Sequence, residues 1–197
     1  MPFINVNGIQ LHYEIEGNGT PLLIISGTGA DLRNPRPDYP TFEGFQVLRY
    51  DQRGLGQTAS PKGTYTMGDY ADDAASLLDN LEIDRINVIG ISFGGMVAQH
   101  LVTRYPSKVK KLVLACTSPG GEHFSSFDLR EILLDSSNKV ESWLQILDSR
   151  YKSSNDDLPT LNMIKDVLNK STKLFPNLVT DGLTRQLEAR SEHDCVN

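Results

Sequence analysis

Cysteine is scarce in this chain of 197 residues, present only as Cys116 and Cys195. Two such thiols do not make a disulfide framework or a metal site. Cys116 falls in the apolar run Leu112-Val-Leu-Ala-Cys116, where an inert buried thiol is expected. No apolar segment approaches the length of a membrane span. Basic residues are outnumbered, 19 Lys and Arg against 25 Asp and Glu for a net charge of −6, and no basic stripe points to nucleic acid. No acidic run suggests a disordered tail, and no internal repeat or low-complexity tract is present. The first residues, Met-Pro-Phe-Ile-Asn-Val-Asn-Gly8, lack the basic start and apolar core of a secretory leader, so a cytoplasmic protein is expected. What remains is ordinary globular material, 39% hydrophobic and 22% charged. Its length suffices for one domain with a sizeable core, or a domain with a small appendage.

Within that material one stretch stands out. Ile86-Asn-Val-Ile-Gly90 reads as a buried strand, and Gly95-Met-Val-Ala-Gln-His-Leu-Val-Thr-Arg104 as a helix, with Ser92 on the sharp turn between them. Strand, turn and helix around Gly-x-Ser-x-Gly form a nucleophile elbow, in which strained backbone lifts the serine hydroxyl above the sheet. A β-carbon at Gly90 or Gly94 would collide as strand and helix draw together. The helix N-terminus offers unpaired N–H groups beside the hydroxyl, suited to a developing oxyanion. The bare pattern is weakly specific, and its strand–turn–helix context is what makes it informative.

Taken in order, the chain opens with a period-two alternation over Phe3–Glu16 about Asn7-Gly8, which predicts a hairpin. His12, in its second strand, is expected to be solvated. Leu22-Leu-Ile-Ile25 and Phe45-Gln-Val-Leu-Arg-Tyr50 follow as strands, separated by a stretch with prolines at 35, 37 and 40 that cannot be one regular helix. A helix opens near Thr66 with Asp69 as cap partner and carries Tyr70, Ala74, Leu77, Leu78 and Leu81 on one face. After the elbow helix, stopped at Tyr105-Pro106, another strand covers Val109–Cys116. Strands alternating with helices, in continuous apolar runs, indicate an α/β fold with a mostly parallel sheet covered by helices. Ligands on such sheets bind at the carboxyl ends of the strands. Ser26–Gly29, Asp51–Gly56, Ser92 and Thr117–Gly121 should therefore crowd one rim. From Ser118 only helical spacing is visible, over Phe127–Asp135, Val140–Tyr151, Leu161–Leu168 and Leu183–Leu187. This gives a core over 1–118 and a helical subdomain over 119–197, with Trp143 packing inside the latter.

Gly27-Thr-Gly29 after a strand, with Asp51 ending the next, also has roughly the spacing of a dinucleotide site. Leu32, where Gly or Ala is required, and the proline-rich stretch, where a helix is required, weigh against it.

Together, Gly90-Ile-Ser-Phe-Gly-Gly95, Asp51-Gln-Arg-Gly-Leu-Gly56 and Ser26-Gly-Thr-Gly29 resemble the α/β-hydrolase superfamily, in particular its bacterial enol-lactone hydrolase, esterase and haloperoxidase-like branch. The resemblance covers essentially the whole chain. The first motif is specific, the second supporting, and the third weaker, because most members have His where Ser26 stands. The resemblance implies that Ser92 is a nucleophile forming an acyl-enzyme with a small ester or lactone. It implies oxyanion donors in the backbone N–H groups of Phe93 and Thr28, whose side chains should then tolerate substitution better than Ser92. It makes Asp51 and Arg53 structural and the helical region an inserted cap, and it calls for no cofactor, no metal, no nucleic acid and no membrane.

In the resembled family the acid and then the His follow the serine, on loops after two further strands. Through Arg190-Ser-Glu-His-Asp-Cys-Val-Asn197 no such strand follows the last helical segment, so the last strands and both loops are not found. Impaired hydrolysis is the expectation; the alternative is a non-catalytic remnant binding a small apolar ligand. Among the other histidines, His100 lies eight residues along the helix from Ser92, roughly 12 Å away, and His12 belongs to the hairpin. His193 lies in the terminal stretch. His123, past a strand end and near Glu122 and Asp128, is the first to examine for an improvised base. Without further strands, Val109–Cys116 becomes a sheet edge guarded only by Lys110 and Lys111, and self-association through it is expected.

Overall fold

The computed structural model describes residues 2–33, 42–124, 129–130 and 181–196. The proline-rich stretch, Trp143 and nearly all of the first three expected cap helices lie outside them. Asn7 and Gly8 both adopt positive φ, 46° and 78°, the pair of left-handed residues a tight hairpin needs. They join β1 (Phe3–Val6) to β2 (Ile9–Gly17). β3 (Thr20–Ile25), β4 (Phe45–Tyr50), β5 (Ile86–Ile91) and β6 (Val109–Ala115) complete a six-stranded sheet in the order β1-β2-β4-β3-β5-β6. β3 to β6 run parallel, while β1 and β2 are antiparallel additions at one side.

The unbroken apolar run of β3 is explained by burial on both faces. Leu23 and Ile25 join the larger core with Leu48, Tyr50, Ile86 and Val88, while Leu22 and Ile24 join Val47 on the other side. The larger core is closed by α1 (Met67–Asn80) and α2 (Phe93–Arg104). α1 starts where the sequence predicts: the Thr66 hydroxyl accepts from the Asp69 N–H, and the Asp69 carboxylate accepts from the Thr66 N–H at 2.8 Å. Tyr70, Ala74, Leu77 and Leu78 are buried. α2 ends at Tyr105, and Pro106 opens a short 3₁₀ turn into β6.

The chain leaves β3 toward β4 on one side and returns across it to β5 on the other. The sheet therefore has its topological switch between β3 and β5, where their carboxyl ends open a crevice. The loop after β3 and Ser92 after β5 face that crevice.

The division of the chain differs from the expected boundary at 118. Met1–Ser126 and Thr180–Asn197 form one unit and Phe127–Val179 another. The last helix, α3 (Asp181–Ser191), belongs with the sheet: Leu183, Gln186, Leu187 and Ala189 are buried, and Ala189 sits in the main core. Amphipathic spacing identifies a helix but not the surface it covers, which is why 119–197 reads as one subdomain in sequence.

Candidate active site

Ser92 sits between β5 and α2 with φ 53° and ψ −118°, a combination L-residues seldom adopt. Its N–H donates to Ala115 O at 2.8 Å, which ties the turn to the end of β6. Its carbonyl already accepts from Gly95 and Met96 N–H, so the helix begins at once. The flanking glycines are sterically required. A β-carbon at Gly90 would stand 2.7 Å from Gly95 Cα, and one at Gly94 would overlap the Ile25 carbonyl. Phe93, at the first helical position, has no intrahelical acceptor for its N–H, as at every helix start. Its side chain is fully buried and packs edge-on against Tyr70 at 5.0 Å. Removing that buried phenyl ring costs about 3–5 kcal/mol whatever its N–H does.

The loop after β3 lies directly against the serine: a β-carbon at Gly27 would be 3.4 Å from Ser92 Cβ and 3.9 Å from Oγ. Two glutamines to which the sequence assigned no role position this loop. Gln52 Nε2 donates to Ser26 O at 2.8 Å, and Gln186 Oε1, from α3, accepts from Gly29 N–H at 2.7 Å. Gln52 could have been singled out from its place inside Asp51–Gly56. Gln186 could not, because 157 residues separate it from Gly29. Thr28 lies between these two anchors, its hydroxyl buried and without a hydrogen-bond partner among the described residues.

Asp51 organises the neighbouring rim loop. It accepts from Leu32 N–H at 2.6 Å, from Gln57 N–H at 2.9 Å and from His12 Nδ1 at 2.9 Å, and Gly56 packs against its carboxylate. Both carboxylate oxygens are thereby committed, which removes the ribose-binding role of the dinucleotide reading. His12 is correspondingly not a solvated strand residue. It is fully buried under Phe3, whose ring is 5.1 Å away, because its side chain turns in toward Asp51. Arg53 makes a paired hydrogen bond to Asp73 of α1 at 2.7 and 2.8 Å. Burial opposes its charge, but those bonds hold the guanidinium pKa above its ordinary value. An open hollow of about 410 Å³ lined by Asn7, Gly8, Ile9, Arg53, Pro61, Asp69 and Asp72 lies beside it, away from Ser92. Its charges are committed internally, Arg53 to Asp73 and Asp72 to Arg104.

All four histidines fall among the described residues. None hydrogen-bonds the Ser92 hydroxyl: His12 is held by Asp51, His100 and His193 by one another, and His123 is exposed. Cys116, expected inside, is exposed, because β6 lies at the edge of the described sheet and the chain turns at Cys116 with φ 51°.

A strained serine at the carboxyl end of the strand beside the switch point, covered by a loop from the neighbouring strand, is the architecture of the alpha/beta hydrolase fold. The model of that family matches residues 20–180, and the chain belongs to it. Among curated proteins, it is 39% identical over 102 residues to a poly(3-hydroxyalkanoate) depolymerase of Ectopseudomonas oleovorans, covering 51% of this chain and 36% of that one. Among solved structures, it superposes on an enol-lactonase from Burkholderia xenovorans with TM-score 0.70 and 27% identity, covering 98% of this chain and 75% of that one. A hydrolase from Pseudomonas aeruginosa gives TM-score 0.69 and 28% identity over 98% of this chain and 73% of that one. The matched regions span 36% to 50% of the first curated relatives. No helix among the described residues is long and apolar enough to cross a membrane.

Proposed function

We propose that this chain carries the nucleophile and oxyanion half of a serine hydrolase site for a small ester or lactone. Ser92 Oγ attacks the carbonyl carbon, the backbone N–H groups of Phe93 and Thr28 receive the oxyanion, and the alkoxide leaves as an acyl–Ser92 ester forms. The observation that carries this reading is the backbone of Ser92, φ 53° and ψ −118°, at the head of α2. Strain of that kind is retained where it serves a reaction. Similarity to an enol-lactonase and to a poly(3-hydroxyalkanoate) depolymerase supports ester or lactone chemistry. Because no histidine of the chain hydrogen-bonds Ser92, water takes the serine proton and acylation is slow.

That same observation supports a second reading, a remnant that binds a small apolar ligand without turnover. An active-site phosphonate ester separates the two. Slow, stoichiometric phosphonylation of the Ser92 peptide, absent from Ser92→Ala, is expected for the hydrolase reading. Labelling that persists in Ser92→Ala would refute it, and no labelling with retained ligand binding would leave the remnant.

A further inference from the structure

A second group of reactive side chains lies where α2 meets the end of the described chain, and the sequence gives no hint of it. His100 Nε2 is 3.1 Å from His193 Nδ1, and one ring nitrogen of each histidine and Cys195 Sγ all lie within 4.8 Å of one another. We propose that His100, His193 and Cys195 form a binding site for a borderline-soft divalent cation of the zinc type, which clips the 193–195 segment to α2. It is independent of the acyl-transfer reading at Ser92.

The donor set fits that cation. Two imidazoles and a thiolate are the ligands zinc prefers, with metal–nitrogen distances of about 2.0–2.1 Å and metal–sulfur of about 2.3 Å. A tetrahedral ion with those bonds holds its ligand atoms about 3.3–3.6 Å apart. The two nitrogens therefore need to part by only a few tenths of an ångström, and Cys195 Sγ has at most about 1.3 Å to close.

The backbones that carry the ligands are already fixed. Gly121 N–H donates to His193 O at 3.1 Å, Cys195 N–H to Pro119 O at 2.8 Å, and Gly120 bridges Asp194. Gly120 is required there, since a β-carbon would overlap the His193 carbonyl. His193 is also aimed. A carbonyl can only accept, so its contact with Ser118 O at 3.0 Å puts the proton on Nε2 and leaves the Nδ1 lone pair facing His100. A metal-binding histidine is commonly oriented in this way by its other nitrogen. Without the ion, His100 Nε2–H donates to His193 Nδ1. With it, His100 shifts its proton to Nδ1 and the Cys195 thiol releases one, so each cation bound frees one proton.

The test uses untagged protein stripped with a chelator and titrated with Co²⁺, which reports its ligands by colour. One equivalent should give an intense tetrahedral spectrum with a thiolate charge-transfer band, bleached by Zn²⁺. Cys195→Ser should abolish the band, and Cys195→Ser and His100→Gln should each weaken binding by more than about tenfold, the smallest loss usual for mere supporting contacts to a metal site. Cys116→Ser and Ser92→Ala should leave both unchanged. In the unmutated protein Zn²⁺ should slow alkylation of Cys195 at least tenfold and leave Cys116 unaffected, a readout that survives if a variant misfolds. A weak octahedral spectrum, binding unaltered by both ligand substitutions, or equal alkylation of Cys195 with and without Zn²⁺ would overturn the site.

Discussion

Ser92 holds its hydroxyl in place at a conformational cost. With φ 53° and ψ −118° it lies outside the regions open to an L-residue, at a cost of about 1–3 kcal/mol. Glycine reaches that region freely but loses more backbone entropy on folding, about 0.5–1 kcal/mol. Ser92→Ala and Ser92→Gly both remove the hydroxyl and differ mainly in the strain retained. Ser92→Gly is therefore expected to be about 1 kcal/mol more stable than Ser92→Ala by urea denaturation. Equal stabilities would mean that the turn is not strained in solution. Gly90 and Gly94 act at the same scale, each occupied by neighbouring backbone where a β-carbon would go.

The elements around Ser92 are unequally secured. α1 begins in a complete capping box, and replacing an N-cap threonine by alanine typically costs about 1 kcal/mol. Thr66→Ala is expected to show that loss in thermal or urea denaturation, with phosphonate labelling of Ser92 unchanged, because the cap touches nothing at the site. β6 is less protected. It is the outer strand of the described sheet beyond β5, with Val113 53% and Leu114 43% exposed. An outer strand with apolar side chains and free backbone groups is a template for pairing with another chain. We expect this 197-residue chain to associate at tens of micromolar, and Leu114→Lys to reduce that association in light scattering. A clean monomer for the unmodified chain would count against the edge as an adhesive surface.

At the scale of the whole molecule, the site is assembled from parts distant in sequence: the β3 loop, the elbow, the rim loop of Asp51 and the α3 glutamine. A serine that no histidine among the described residues hydrogen-bonds is expected to be almost fully protonated at neutral pH. Loss of triad members lowers turnover by up to about a millionfold, while an oxyanion hole and binding still leave about 10³–10⁴ over water. Hydrolysis of p-nitrophenyl acetate is therefore expected to be feeble, and lowered little by Ser92→Ala or His123→Ala. Turnover near 1 per second, in the ordinary enzyme range, and abolished by Ser92→Ala would show that a base reaches Ser92 after all, with His123 the first to replace.

What the sequence determined by itself is local. The Asn7-Gly8 hairpin, the Thr66–Asp69 cap, the strand and helix around Ser92 and the glycines that let them meet were legible, because each rests on residues a few positions apart obeying steric and hydrogen-bonding rules. The continuous apolar strands likewise announced a sheet covered on both faces. Only the tertiary structure decided what lies against what. His12 looked solvated until the Asp51 loop closed over it, and Cys116 looked buried until the chain turned there with φ 51° and left the thiol exposed. Gln186 became a support of the Ser26–Gly29 loop only when α3 packed on the sheet, and His100 met His193 across 93 residues. Periodicity records which face of an element is apolar; it carries no record of the partner, and partners separated by so much chain are chosen by packing of the whole fold.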